Sequence, residues 1–290
     1  MNRQRACVWL LCAAICACCT LPGRAIAQQA TASFSLSDLM ITPMRIIFEG
    51  RATTAEVSLI NRSNKNLSYS LSIVNNRMSL DGSMELIDEE GPGERFASPY
   101  LRFTPRRVFL EPGQVQIVRM QLRKPADMEE GEYRSHLSFR VIPETDAVGM
   151  TDTGAHNNAI SIKLTPIYGL SIPVIARHGE LEASVRLSQP EFRHNADPAK
   201  GELSVVIERE GNRSVYGNLV AHWKAPGTTT VEIGRINGIA VYTPNAQRAV
   251  TMQLTAPEGS VIAGGTLSLQ YSEQLEDRQR ILAETSMVVR

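Results

Sequence analysis

The sequence predicts an all-β protein built from antiparallel β-sandwiches. Short stretches of alternating apolar and polar residues follow one another at about ten-residue spacing, which is the pattern of sandwich strands. Clusters of Gly, Pro and Asn separate these stretches, as expected of turns. No stretch after residue 27 keeps a helical apolar period of any length.

The first half of the chain after residue 27 contains about seven of these alternating stretches. The first of them alternates imperfectly and includes Pro43, which suits an edge strand. Asp81-Gly82 is the strongest short-range signal of a β-hairpin. The predicted strands are residues 39–48, 55–61, 67–75, 100–103, 107–110, 115–122 and 131–143.

A long apolar strand is predicted within residues 159–177, where the first half ends. Polar residues alternate there with an apolar series, so the apolar side chains would share one face of an extended strand. Pro166 and Pro173 indicate a strand that is bent and unpaired along part of one edge. Periodicity alone leaves two interpretations open: a strand that completes its own core, or one donated to another protein. The series begins with Ile160, Ile162 and Leu164.

The strand pattern restarts after residue 177, which indicates a second all-β domain. We therefore predict an N-terminal domain at residues 28–177 and a C-terminal domain at residues 178–290. The second-half strands are predicted at residues 181–187, 202–207, 215–223, 230–235, 249–254, 267–271 and 281–289.

Residues 1–27 are predicted to be a secretory signal peptide. Arg3 and Arg5 form a basic start, residues 6–21 are apolar, and Ala25-Ile26-Ala27 has the small-residue pattern of a cleavage site. A membrane anchor is the alternative, but the apolar run is shorter than the roughly 20 residues that span a bilayer. A lipoprotein leader is a minor alternative. We expect export, with no stable membrane insertion after cleavage.

All five cysteines lie within residues 1–27, so the chain from Gln28 onward has none. This excludes a thiol nucleophile, a thiolate zinc site and an iron–sulfur cluster in the exported protein. The leader holds three of the 30 basic residues and no acid, so the remaining net charge is 27 − 30 = −3. That balance gives no support for nucleic-acid binding, which would show as a basic excess.

No motif of catalysis, nucleotide binding or metal binding is present in the sequence. The histidines are scattered, and His136 lies in an alternating strand on what we expect to be the solvated face. The acidic residues 88–90 are best interpreted as a solvated loop, and no convincing acid pair supports a polysaccharide-active enzyme. We therefore predict no enzyme activity, no cofactor and no metal.

Several arginines stand among the predicted strands. Arg102, Arg106 and Arg107 are expected to point into water from an edge strand, where charge discourages aggregation. Arg45 is different because it is embedded in an apolar strand. We expect it to bind a carboxylate, since the arginine fork presents paired donors to an anion.

Five blocks of the first half resemble the N-terminal domain of the periplasmic pilus-assembly chaperones of the chaperone–usher pathway. Their order and spacing make the resemblance specific over about residues 39–177, and its departures suggest a divergent branch. The blocks are Arg45-Ile46-Ile47-Phe48-Glu49-Gly50, Val57-Ser58-Leu59-Ile60-Asn61, Phe103-Thr104-Pro105-Arg106-Arg107-Val108, Leu110-Glu111-Pro112-Gly113 and Gly131-Glu132-Tyr133-Arg134-Ser135-His136-Leu137.

The resemblance implies two immunoglobulin-like domains set at an angle, in a boomerang shape, located in the periplasm. Such chaperones donate a strand to pilus or fimbrial subunits that lack one, cap them, and deliver them to an outer-membrane usher. It implies that Ile160, Ile162 and Leu164 enter the subunit's groove. The alternative function is a structural or adhesive β-sandwich protein of the envelope.

In that family a pair of basic residues between the domains anchors the subunit's C-terminal carboxylate. Arg45 matches the first of the pair. The second, a lysine shortly before the proline that closes the long strand, has no match here. The resemblance therefore implies one of three arrangements: Tyr168 donates a hydrogen bond instead, Arg177 or another arginine takes the place of the lysine, or the anchor is arranged differently.

Overall fold

Short strands joined by turns make up the residues that the computed structural model describes, which are 38–142, 169–274 and 279–289. The prediction of an all-β fold is confirmed. Among the described residues, no helix has the length and apolar character needed to cross a bilayer.

The strands of the first half form two sheets. They are β1 (Leu39–Thr42), β2 (Ile46–Phe48), β3 (Thr54–Asn61), β4 (Leu67–Met78), β5 (Met84–Ile87), β6 (Leu101–Thr104), β7 (Arg107–Leu110), β8 (Val115–Leu122), β9 (Gly131–Val141) and β10 (Gly169–His178). One sheet has the order β1-β3-β8-β6. The other has the order β2-β10-β9-β4-β5, with β7 also paired to β4.

The predicted strand at residues 39–48 is in fact two strands in different sheets. β1 pairs antiparallel with β3, whereas β2 pairs in parallel with β10. The alternation is interrupted at residues 43–45, where the chain passes from one sheet to the other. This crossing places the start of β2 beside the strand that ends the first half.

The strands of the second half form two further sheets, with the orders β11-β12-β15 and β14-β13-β16-β17. Inward-facing residues of both sheets, among them Leu203, Leu219 and Tyr271, belong to one apolar cluster. The strands are β11 (Ala183–His194), β12 (Lys200–Gly211), β13 (Val215–Lys224), β14 (Val231–Val241), β15 (Gln247–Thr255), β16 (Thr266–Gln274) and β17 (Gln279–Val288).

The buried positions of the first-half strands are mostly apolar. In β3 and β8 the buried positions recur every second residue, for example Val57 and Leu59 in β3, because successive side chains of a strand point to opposite faces. The predicted hairpin at Asp81-Gly82 is confirmed: β4 and β5 pair from Asn75 opposite Ile87 to Met78 opposite Met84.

Truncating a buried phenylalanine should destabilise the fold far more than truncating an exposed one. Phe139 on β9 is 0 % exposed and Phe109 on β7 is 55 % exposed. We expect Phe139→Ala to cost about 3–5 kcal/mol of unfolding free energy, through lost burial and a residual cavity. Phe109→Ala should cost no more than about 1 kcal/mol, the span of strand propensity. Equal losses in urea unfolding would contradict the assigned core face.

Candidate functional site

Strand β10 lies between β9 and β2, and these two neighbours cover it unequally. β9 pairs with β10 along its whole length, from Gly169 to His178. β2 pairs with Val174–Ala176 alone. In the part of the chain that the structure describes, the β10 edge at residues 169–173 therefore has a partner strand on one side only.

The expected donor residues precede this half-covered edge in the chain. Ile160, Ile162 and Leu164 lie outside the described residues, as does Tyr168. The face predicted for them continues into β10, where Leu170 is half-buried and Ile172 is buried. The predicted parity is thus confirmed at Leu170 and Ile172, whereas residues 174–177 are buried on both faces.

Arg45 immediately precedes β2, at the edge of the same sheet. Since Ile46 lies opposite Val174 in the parallel pair, Arg45 comes next to the end of the half-covered edge. Its guanidinium carbon lies 3.7 Å from the ring centroid of Tyr216 and 5.6 Å from that of Tyr242. Its Nη2 donates to the Tyr242 hydroxyl at 3.3 Å.

Within the described residues, the partners of Arg45 are these two tyrosines of the second half rather than a carboxylate. The Arg45 Nε is buried and has no hydrogen-bond acceptor there. A buried donor without a partner costs free energy, and an acceptor placed against this Nε would lower that cost.

Strand β9 is buried on both faces, which an alternating strand at a solvated surface would not be. Glu132, Arg134 and His136 share its outward face, and residues of the second half contact them. The guanidinium carbon of Arg134 lies 4.5 Å from the Tyr242 ring centroid. The His136 ring meets the same tyrosine edge-on at 6.4 Å.

The expectation that His136 lies on a solvated face is wrong. His136 is 3 % exposed, because the second half covers this face of β9. Burial, and secondarily the nearby Arg134 charge, lowers the pKa of His136 to about 3. The imidazole is therefore neutral near pH 7 and adds no positive charge to the site.

Arg177, one of the open alternatives for the second cation, is engaged in ion pairs. Its Nε donates to Glu132 at 3.0 Å and its Nη1 to Glu49 at 3.2 Å, with Arg177 and Glu132 both buried. Glu132 Oε2 also accepts the backbone N–H of Ser214 at 3.2 Å. The pair therefore holds the end of β10 and the start of β13 together.

The β4–β5 hairpin makes a second set of contacts to the second half. Asn245 Nδ2 donates to the Met78 carbonyl at 2.7 Å, and the Ala249 N–H donates to the Leu80 carbonyl at 2.8 Å. A small apolar cluster accompanies them. It consists of Met78, Ile175, Ala240 and Tyr242.

Arg102, Arg106 and Arg107 are all exposed, as predicted. Sequence reasoning missed Tyr216 and Tyr242 entirely. Tyr242 lies 197 positions from Arg45, and local periodicity carries no signal about contacts at that separation. In the described ranges, no group of three or more His, Cys, Asp or Glu side chains is arranged to hold a metal ion.

The depressed pKa of His136 makes stability depend on pH. An unfolded histidine titrates near pH 6.5, so below that pH the unfolded chain binds a proton that the folded chain refuses until about pH 3. Above pH 6.5 the imidazole is neutral in both the folded and the unfolded chain, so its titration does not lower the free energy of unfolding. As the pH is lowered from 6.5 towards 3, the free energy of unfolding falls by up to about 1.4 kcal/mol per unit.

When the pH is lowered from about 7 to 5, we expect the unsubstituted chain to lose about 2 kcal/mol more unfolding free energy than His136→Gln does. Urea unfolding at both pH values measures this. His194→Gln is the control, because His194 is exposed, and it should behave as the unsubstituted chain does. Identical pH dependence in all three proteins would contradict a buried neutral His136.

Neither a family model nor a curated protein matches the sequence. Solved structures similar to the chain include the YadV chaperone, at 11 % identity and a TM-score of 0.42 over 87 % of this chain and 100 % of that one. The CupB2 chaperone of Pseudomonas aeruginosa has 10 % identity and a TM-score of 0.39, over 86 % and 99 %. The CsuC–CsuE chaperone–tip adhesion subunit complex of Acinetobacter baumannii has 11 % identity and a TM-score of 0.42, over 84 % of this chain and 96 % of that one.

The first two of these neighbours are chaperones, and the third is a chaperone–subunit complex from archaic chaperone–usher Csu pili, the pathway of the family that the sequence blocks resemble. Sequence identities of 10–11 % and TM-scores of 0.39–0.42 carry no argument about function.

Proposed function

We propose that the protein is a periplasmic chaperone that captures pilus, fimbrial or spore-coat-type subunits by donating a β-strand to their incomplete immunoglobulin-like fold. The observation that carries this proposal is the unequal cover of β10. Its edge at residues 169–173 is paired on one side only, and the apolar series of residues 160–164 leads directly into it.

Strand addition explains why such an edge would be kept. An open edge presents unpaired N–H and C=O groups that invite pairing with another chain. A subunit that lacks a strand would satisfy those groups, and the side chains of Ile160, Ile162 and Leu164 would fill its core. Burying each would contribute about 1.5–3 kcal/mol before ordering costs.

Arg45 supports the proposal as the anchor of the subunit's C-terminal carboxylate. It stands beside the half-covered edge, and its buried Nε lacks an acceptor among the described residues. Tyr168 would supply an additional contact from the long strand. Arg177 is not one, because it is already engaged by Glu132 and Glu49.

The rest of the proposed account follows the sequence. Residues 1–27 would direct export and be removed, residues 28–177 would form the strand-donating domain, and residues 178–290 would form the second domain. Capture would need no nucleotide, cofactor or metal and would involve no catalysis. Bound subunits would pass to an outer-membrane usher, and neither nucleic acid nor a membrane would be a partner.

A charge on the donated face should weaken capture strongly, while a charge on the opposite face should not. Ile162→Asp removes one apolar contact, so we expect the dissociation constant of the subunit complex to rise at least about ten- to a hundredfold. Ser161→Asp is the matched control, because neighbouring side chains of an extended strand would point to opposite faces. Co-purification from the periplasm with a small exported protein, followed by titration with that protein, measures both.

Normal capture by Ile162→Asp would refute the assignment of the donated strand. Failure of the unsubstituted chain to co-purify one-to-one with any small exported protein would favour a structural or adhesive envelope protein instead.

A further inference from the structure

The contacts of Arg45 define which of its hydrogen-bond donors are in use. The guanidinium carbon lies 3.7 Å from the Tyr216 ring centroid, within the range of a strong cation–π contact. Stacking uses the face of the planar guanidinium and leaves its N–H edges available for bidentate bonding. Tyr216 is 38 % exposed, so this platform has an open side.

Of the five N–H donors of Arg45, a single one has a hydrogen-bond acceptor among the described residues, and that acceptor is the Tyr242 hydroxyl. The buried Nε–H has no acceptor there. A carboxylate has two oxygens in the geometry that two adjacent guanidinium donors require. An incoming carboxylate would therefore meet donors that the described residues leave unused.

The Tyr242 hydroxyl has a donor of its own to offer. It accepts from Arg45 at 3.3 Å, which leaves its O–H proton free for another acceptor. A hydroxyl that accepts from a cation is polarised and donates more strongly. Tyr242 is 7 % exposed and is held in place by Arg134, His136 and the apolar cluster around Ile175.

The charges around Tyr242 also favour an anion. Arg134 contacts the ring as a second cation, and its Nε is buried without an acceptor among the described residues. The two acids whose charge acts on Arg134 are already paired: Glu132 with Arg177, and Glu94 with Arg77 at 2.7 Å. The surroundings of Tyr242 thus carry a surplus of positive charge.

We propose that Tyr242, on the second half of the chain, is the second ligand of the carboxylate that Arg45 binds, with Tyr216 as the platform that orients the guanidinium. The identification of that carboxylate as the subunit's C terminus rests on the proposed function. The second half would then contribute directly to capture, and no cation on the long strand would be needed.

The test titrates the exported chain with N-acetylglycine, a carboxylate on a single peptide bond, and observes the Arg45 Nε–H signal by NMR after [15N]arginine labelling. An Arg45→Lys variant assigns the signal. We expect a saturable shift with N-acetylglycine and none with N-acetylglycinamide. Tyr242→Phe keeps the ring and removes the hydroxyl, so the apparent dissociation constant should rise about fivefold.

Tyr133→Phe is the matched control. Arg95 contacts Tyr133 in the same manner, with its guanidinium carbon 5.5 Å from the ring centroid and Nη1 donating to the hydroxyl at 3.4 Å, but away from the β10 edge. This variant should bind N-acetylglycine as the unsubstituted chain does. Tyr216→Leu, which removes the platform, should weaken binding while Tyr242 is intact, and it serves if Tyr242→Phe does not fold.

The absence of any shift in the unsubstituted chain would overturn the anion site. Unchanged affinity in Tyr242→Phe, or in Tyr216→Leu if that variant is the one that folds, would overturn the role assigned to the second half. Because the titration uses no subunit, it is independent of the proposed function. A chain that binds N-acetylglycine as expected but captures no subunit would refute the chaperone function and leave the site intact.

Discussion

The antiparallel pairing of β9 with β10 is the constraint on which the rest of the structure depends. It runs along all of β10 and fixes that strand from one side, so the other side is available to whatever lies beside it. β2 occupies only the stretch at Val174–Ala176. The half-covered edge, the place of Arg45 and the proposed strand donation all follow from this unequal cover.

The same pairing sets how the second half is attached. The outward face of β9 carries Glu132, Arg134 and His136, which would be ordinary surface residues on an isolated sheet. The second half buries them, and a buried charge that lacks a partner is costly. Arg177 on β10 supplies the partner of Glu132, and the Ser214 N–H completes its hydrogen bonding. Strand pairing, charge pairing and the tyrosine contacts of Arg45 therefore converge on one region.

The strands could be predicted from the sequence because alternation with a period of two is a local property. β8 was placed at its observed bounds, and the β4–β5 hairpin followed from Asp81-Gly82. The burial of His136 could not be predicted, since it involves contact with Tyr242, which lies more than a hundred positions away in sequence. The partners of Arg45 were missed for the same reason: alternation shows that a residue faces outward but not what will cover it.

Amide hydrogen exchange across residues 160–173 tests the central claim most directly, measured on the chain alone and in a one-to-one complex with a subunit. Exchange slows where an amide gains a stable hydrogen bond. Strand donation predicts that amides on the open side of this segment slow strongly in the complex, while those of β9 change little. A stable complex in which residues 160–173 exchange as fast as in the free chain would contradict the account, because the subunit would then be held elsewhere.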